Sequence, residues 1–307
     1  MGSLRDTVAN AIKWTLAAFG VIFVYELTSV AAGALIGVYT AFAGISVSDI
    51  DIQLLQAAMQ VAVFAVAACW WGYLFPRSFA ARWQGSCPLR GGTRDVMKRI
   101  LLVIVIGIAL QIVIGYLCDV ALQFFPAAAH EYDQLVEESG MDEVGLLPVL
   151  TTIIGAPLSE ELVVRGVIFE FSLRAFNPQC RSLWKRRRGI RAEDGAIVPA
   201  ASPSKAGIAA AIVLQALLFG VLHMNIVQGC YAFAAALVIG WVFYITGRIR
   251  CTMLLHFAFN GGSYFMGLLW FVDTGLAMAI TVAMAFAVLA WALRELDRAC
   301  RTPEEAG

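Results

Sequence analysis

Residues 145–171 read GLLPVLTTIIGAPLSEELVVRGVIFEF. The run is apolar enough to sit in a bilayer, yet its middle carries Glu160, Glu161 and Arg165. A charged side chain at bilayer depth costs at least about 2.5 kcal/mol on insertion scales, so the cluster needs mutual compensation or a task. Glu161 and Arg165 lie four apart with the acid on the N-terminal side, the better order for a helical ion pair. Glu160 is rotated about 100° from Glu161 around a helix. Arg165 can therefore hold one carboxylate and leave its neighbour free.

The rest of the chain has the same character. Of 307 residues, 60% are hydrophobic and only 14% charged, with a mean hydropathy of +0.77. Soluble domains carry about 25% charged residues, so the composition points to a membrane protein. A helical span takes about 20 apolar residues. By that measure there are eight segments: 14–42, 53–75, 100–125, 146–175, 206–224, 226–246, 251–272 and 274–293. The short links HMNIVQ (223–228) and VDTG (272–275) leave room for a bent or partly inserted helix, which would reduce the count to seven. The apolar run after MGSLRD is too long for a signal-peptide core and reads as the first membrane helix. The expected fold is all-α: a polytopic membrane helix bundle of about eight transmembrane helices, one membrane domain over 1–307, with a polar cavity at membrane depth. Seven dispersed cysteines without CxxC spacing read as packing residues or free thiols.

Charge segregation sets the orientation. With a cytoplasmic amino terminus, the inside holds Arg5, Lys13, the loops RSFAARWQGSCPLRGGTRDVMKR (77–99) and RSLWKRRRGIR (181–191), Arg248, Arg250, and a tail with Arg294, Arg298 and Arg301. The outside holds SVSDIDI (46–52), HEYDQLVEESGMDE (130–143) and Asp273, with no lysine or arginine. This is a positive-inside pattern, and it implies an integral membrane protein with both termini cytoplasmic, in keeping with a bacterial inner membrane. Loop 177–205 reads as a basic cytoplasmic anchor beside anionic headgroups and not as a nucleic-acid site.

Few ionisable groups remain at membrane depth. Glu170 and Arg174, four apart, can pair or snorkel. Asp119 lies near the outer end of its segment, where water reaches it. Glu26 is deeper and reads as a polar contact to another helix. His130, in the acidic outer stretch, reads as solvated surface. The other two histidines sit in FGVLH (219–223) and HFAFN (256–260), which place Phe219 with His223 and His256 with Asn260 on single helix faces. Alone, each is explained as a helix–helix contact, and a lone Glu–Arg pair as a lock. Together, two carboxylates, a cation, two imidazoles and a carboxamide are the ingredients for activating a water and stabilising an oxyanion.

At these residues the sequence resembles the CPBP intramembrane proteases, the CAAX prenyl protease and bacteriocin-processing family also called Abi. Its pattern of EExxxR, FxxxH and HxxxN stands here as EELVVR (160–165), FGVLH (219–223) and HFAFN (256–260), in order and without departure. The resemblance covers about 145–265, the expected catalytic core. It implies a hydrolase that cuts peptide bonds at or within the membrane. Glu160 would activate water with help from His223, His256 and Asn260 would hold the oxyanion, and Glu161 with Arg165 would orient the site. A metal-free mechanism is the favoured reading. Zinc on Glu160, His223 and His256 is the alternative, since two imidazoles and a carboxylate suit that ion. The substrate would be a membrane-associated peptide or protein, such as a prenylated or membrane-protein terminus. Competing readings are an inactive scaffold, an immunity or regulatory protein of the same family, and a proton- or ion-coupled transporter. The motifs impose one spatial demand. His223 is expected near the outer end of its span and His256 near the inner end of its own, yet both must reach acids at mid-depth. The SPSK before the fifth segment (202–205) reads as its N-cap.

The orientation is testable by cysteine labelling in a cysteine-free background. A membrane-impermeant maleimide should label Ser139→Cys in intact cells and Ser182→Cys only after permeabilisation.

Overall fold

The computed structural model describes residues 4–46, 52–81, 92–139, 145–177, 190–191, 197–198, 203–266 and 275–300. Nine helical elements carry the fold within them: α1 (Leu4–Phe42), α2 (Ile52–Leu74), α3 (Thr93–Leu122), α4 (Pro126–Ser139), the composite α5 (146–176), α6 (Lys205–Leu222), α7 (Ile226–Thr246), α8 (Ile249–Met266) and α9 (Gly275–Cys300). The expected all-helical architecture stands. The sole departure among the described residues is a two-residue antiparallel pairing, Ile190 with Val198 and Arg191 with Ile197. Most of the basic loop 177–205, Cys87, Cys180, Asp273 and Arg301 lie outside the described residues.

Six helices are long and apolar enough to cross a membrane: α1, α2, α3, α6, α7 and α9. The composite α5 and the 18-residue α8, which bear the charged motifs, bring the total to eight. Large apolar side chains such as Leu16, Phe23, Val30, Met284 and Trp291 stand exposed on α1 and α9, as expected of surfaces that meet lipid instead of water. The structure differs from the expected spans mainly in the acidic outer stretch, which is a helix instead of a loop. Pro126 at its first position and three alanines favour that start. Ala128, Ala129, Tyr132, Leu135 and Val136 form its half-buried stripe, while His130, Glu131 and Asp133 are exposed.

Three apolar clusters organise the bundle among the described residues: a small one around Phe79, Phe169, Leu173, Ile212 and Phe243, and two larger ones. One gathers Val21, Ala67, Val164, Phe171, Leu218 and Ala236 from α1, α2, α5, α6 and α7. The other gathers Ile106, Ile239, Leu255, Leu289 and Leu296 from α3, α7, α8 and α9. Helix α7 belongs to both and joins them. It follows α6 closely because Gly220 and Gly229 face each other: a Cβ on Gly220 would stand 2.7 Å from the Gly229 carbonyl oxygen. At its far end Gly247 takes a left-handed φ of 61° and donates its N–H to Phe243 O, a C-cap that suits glycine. Ser204 caps α6 as the sequence leads one to expect, its hydroxyl accepting from Gly207 N at 3.0 Å.

Glu170 and Arg174 pair instead of snorkelling. Glu170 Oε1 accepts from Arg174 Nε at 2.8 Å, and Glu170 Oε2 accepts from the Phe79 backbone N–H at 2.8 Å. The guanidinium lies over the rings of Trp14 and Phe171. This buried clamp ties α5 to α1 and to the turn after α2. Because removing one partner strands the other charge, Glu170→Leu should destabilise the protein by about 3–5 kcal/mol, measured by denaturant unfolding in detergent micelles.

Candidate functional site

The backbone around the acids is irregular. Helix α5 is α-helical over Ala156–Glu161, with π-helical turns on either side at Leu150–Gly155 and Leu162–Ile168. Pro157 accounts for the first. In the π register the Ala156 N–H bonds Thr151 O. The next donor in that register, for Thr152 O, is residue 157, and proline has no N–H. The orphaned Thr152 carbonyl accepts from Asn260 Nδ2 of α8 instead, at 2.9 Å. A defect in one helix thus fixes a carboxamide on another. π-turns of this kind concentrate at functional sites.

Glu161 lies at the centre of the cluster and is fully buried, as is Arg165. Its Oε1 accepts from Arg165 Nη1 at 2.9 Å and from His256 Nδ1 at 2.8 Å. Thr252, one turn before His256, gives its hydroxyl proton to Ile249 O at 2.9 Å, and among the described residues Glu161 Oε2 is buried without a hydrogen-bond partner. The guanidinium also stacks 5.1 Å from the centre of the Phe219 ring. Glu160 points elsewhere, with 14% of its side chain exposed, and its Oε2 stands 3.7 Å from His256 Nε2. That gap exceeds a direct hydrogen bond but lies within ion-pair range. His256 therefore faces both carboxylates, one through each ring nitrogen.

His223 joins this group through rings. It is the C-cap of α6, and its Nδ1 bonds Phe219 O at 2.9 Å. A carbonyl oxygen can only accept, so Nδ1 carries the proton and Nε2 is the basic nitrogen of the neutral ring. The Phe219 ring lies edge-on to both imidazoles, 4.7 Å from His223 and 6.0 Å from His256. His256 of the seventh span thus meets the acids of the fourth, whereas His223 of the fifth approaches the cluster only through Phe219. Phe219 fills the distance that helix ends alone would leave open. Among the described residues, His223 makes no hydrogen bond or ion pair with Glu160.

Tyr25 and Tyr231 were not singled out from the sequence, and Glu26 was expected only as a polar contact to another helix. Tyr25 of α1 hydrogen-bonds Ser159 and lies in the field of Glu160, and Glu26 lies in that of His223. The adjacent polar pair in an apolar helix was their only signal. Tyr231 of α7 also feels Glu160. Among the described residues no three His, Cys, Asp or Glu side chains come together to hold a metal ion. The zinc alternative of Glu160, His223 and His256 is therefore not brought together as a ligand set among these residues. A cavity of about 590 Å³ between α3 and α8 is lined by Ile104, Ile108, Ile112, Ile153 and Leu254, among others, and is apolar. The acid–imidazole cluster is instead compact, with exposure left to Glu160, His223 and Asn260.

The fold and the site thus define a helical membrane protein with a buried Glu–Arg–His cluster and a free glutamate beside it. Residues 142–262 match the family model of type II CAAX prenyl endopeptidase Rce1-like proteins, and the resemblance to CPBP proteases is borne out over that stretch. No curated protein and no solved structure matches the chain. The matched family is one of proteases named for CAAX prenyl substrates.

Restoring the missing donor should release Asn260. Pro157→Ala should leave the protein folded while returning the Thr152 carbonyl to a backbone partner, seen as a changed side-chain amide resonance for Asn260. Glu161→Gln, which weakens a charge-assisted bond to His256, should cost about 1.5–3 kcal/mol of stability, read by chemical denaturation.

Proposed function

We propose that this chain is an integral-membrane endopeptidase of the CAAX type, with residues 145–265 as its catalytic core. It hydrolyses a peptide bond of a membrane-associated substrate at or within the bilayer. The reading rests on one observation: His256 is shared between two carboxylates, with Nδ1 on buried Glu161 and Nε2 toward the partly exposed Glu160.

In this mechanism Glu160 takes a proton from a water, and the water oxygen attacks the substrate carbonyl carbon. Glu161, itself held by Arg165, orients His256 through its Nδ1–H, and the ring, once it also carries a proton at Nε2, turns that N–H to the developing oxyanion. Asn260 spends one amide hydrogen on Thr152 O and has a second to offer. His223 Nε2 assists as a proton acceptor, and the proton from the water leaves with the amine as the C–N bond breaks. The substrate class follows the family name: a prenylated terminus, or another membrane-protein terminus with an aliphatic end. The cell is read as bacterial and the membrane as the inner one from the compact loops, and both termini as cytoplasmic from the charge pattern.

An internally quenched peptide ending in a farnesylated Cys-aliphatic-aliphatic sequence, presented in proteoliposomes, tests the reading. Glu160→Gln should reduce cleavage by about 100-fold or more with an unchanged unfolding midpoint. In cells, termini present with the wild type should vanish with the variant. A Glu160→Gln protein that keeps its cellular phenotype, with no termini lost, would instead support the scaffold reading.

A further inference from the structure

His223 is the least securely held member of the cluster. It ends a helix, is half exposed, and among the described residues has a single hydrogen bond, to Phe219 O. The next residue, Met224, has φ of 53°, a left-handed conformation that costs a non-glycine residue about 1–2 kcal/mol. Asn225 then begins α7, its Oδ1 accepting from Val227 N and Gln228 N at 2.9 and 3.0 Å. A two-residue link under strain does not by itself hold an imidazole still. Strain of this kind persists where the surroundings over-determine it.

The surroundings are aromatic. Tyr231, one and a half turns into α7, lies with its ring centre 6.5 Å from that of His223 at 66°. Phe219 stands at 4.7 Å and 87°. Tyr231 is in turn edge-on to Tyr132 of α4, at 6.4 Å and 78°. The two hydroxyls hydrogen-bond each other, and Gln228 bonds Tyr132 as well. Edge-to-face ring pairs of this geometry contribute beyond area burial. A continuous file of rings therefore runs from the outer helix α4 through Tyr231 to His223, Phe219 and His256.

We propose that Tyr231, buttressed by Tyr132 of α4, is a positioning residue that fixes the rotamer and tautomer of His223 and so keeps its Nε2 directed at the reacting centre. The ring does this work; the Tyr231 hydroxyl serves only to hold Tyr132. None of the three sequence motifs contains either tyrosine. Helix α4, outside the matched stretch, thereby takes part in the geometry of the site. The kinetic consequences rest on the peptidase reading; the tautomer does not.

The chain has three histidines, so the imidazole nitrogens of protein labelled with ¹⁵N-histidine can be assigned by single substitutions. In the wild type, full chain in micelles, His223 should show one tautomer protonated at Nδ1. Tyr231→Phe should preserve it, whereas Tyr231→Leu and Tyr132→Ala should give exchange-averaged tautomers with an unchanged His256 signal. With the farnesylated quenched peptide, Tyr231→Leu should lower kcat about tenfold or more, leave KM within about twofold, and shift the pH profile of kcat. Tyr231→Phe should restore most of kcat. In a His223→Ala background, Tyr231→Leu should cost nothing further, because the residue it positions is gone. An unaltered His223 tautomer in Tyr231→Leu would overturn the proposal whether or not the peptide is cleaved. Equal losses from Tyr231→Leu with and without His223 would overturn it too. Cleavage that survives Glu160→Gln would instead defeat the peptidase reading and leave the tautomer result standing on its own.

Discussion

A single carboxylate oxygen, Glu161 Oε1, accepts from both an arginine and a histidine while fully buried. Placed alone at that depth the acid would be prohibitively costly, and so would the arginine. Each tolerates burial because of the other, and the pair is then available to orient a third group. The consequence extends outward. Because Arg165 and His256 both bind the same oxygen, α5 and α8 must meet at this height. Phe219 packs under the guanidinium and against both imidazoles, which brings in α6. Three elements far apart in sequence are thus indexed to one atom. Glu160, a neighbour on the same helix turned toward a different face, is left with the exposure that chemistry requires.

The irregular backbone serves the same end. Pro157 interrupts the hydrogen-bond ladder one turn before the acids and leaves a carbonyl that α8 answers with Asn260. Non-regular backbone at membrane depth is tolerated where protein groups satisfy it, and here the satisfying group is itself part of the cluster. Met224 plays a comparable part at the α6–α7 junction, where a strained residue turns the chain directly after His223. Departures from regular helix cluster around the polar residues instead of being spread along the bundle.

Much of this was legible before any coordinates. Helix count follows from hydropathy because the bilayer sets one length for every span. Glu161 with Arg165 followed from the spacing of four, and the meeting of three motifs from their combined chemistry. What could not be read was mostly lateral. Helical periodicity says which residues share a face but not which helix that face meets, so Tyr25, Glu26 and Tyr231 gave no sign of lying near Glu160 and His223. The helix α4 was hidden by its acidity, which reads as a solvated loop unless the half-buried stripe through Tyr132 is weighed against it. The pairing of Glu170 with Arg174 was open between a buried clamp and a snorkelling pair. The Phe79 N–H, ninety-one residues distant in the chain, decides it.

Asn177 and Ser204 add a different lesson. Asn177 is fully buried, and its Oδ1 accepts from the Ser204 backbone N–H at 2.9 Å while its amide donates to Leu173 O. The end of α5 and the start of α6 are therefore pinned to each other by one clasp, whatever lies between. Closing a longer excursion costs only about 0.6 kcal/mol for each doubling of its length. An engineer wishing to append a sensor or a targeting module can therefore lengthen that segment at small entropic cost, provided the clasp between Asn177 and Ser204 is kept.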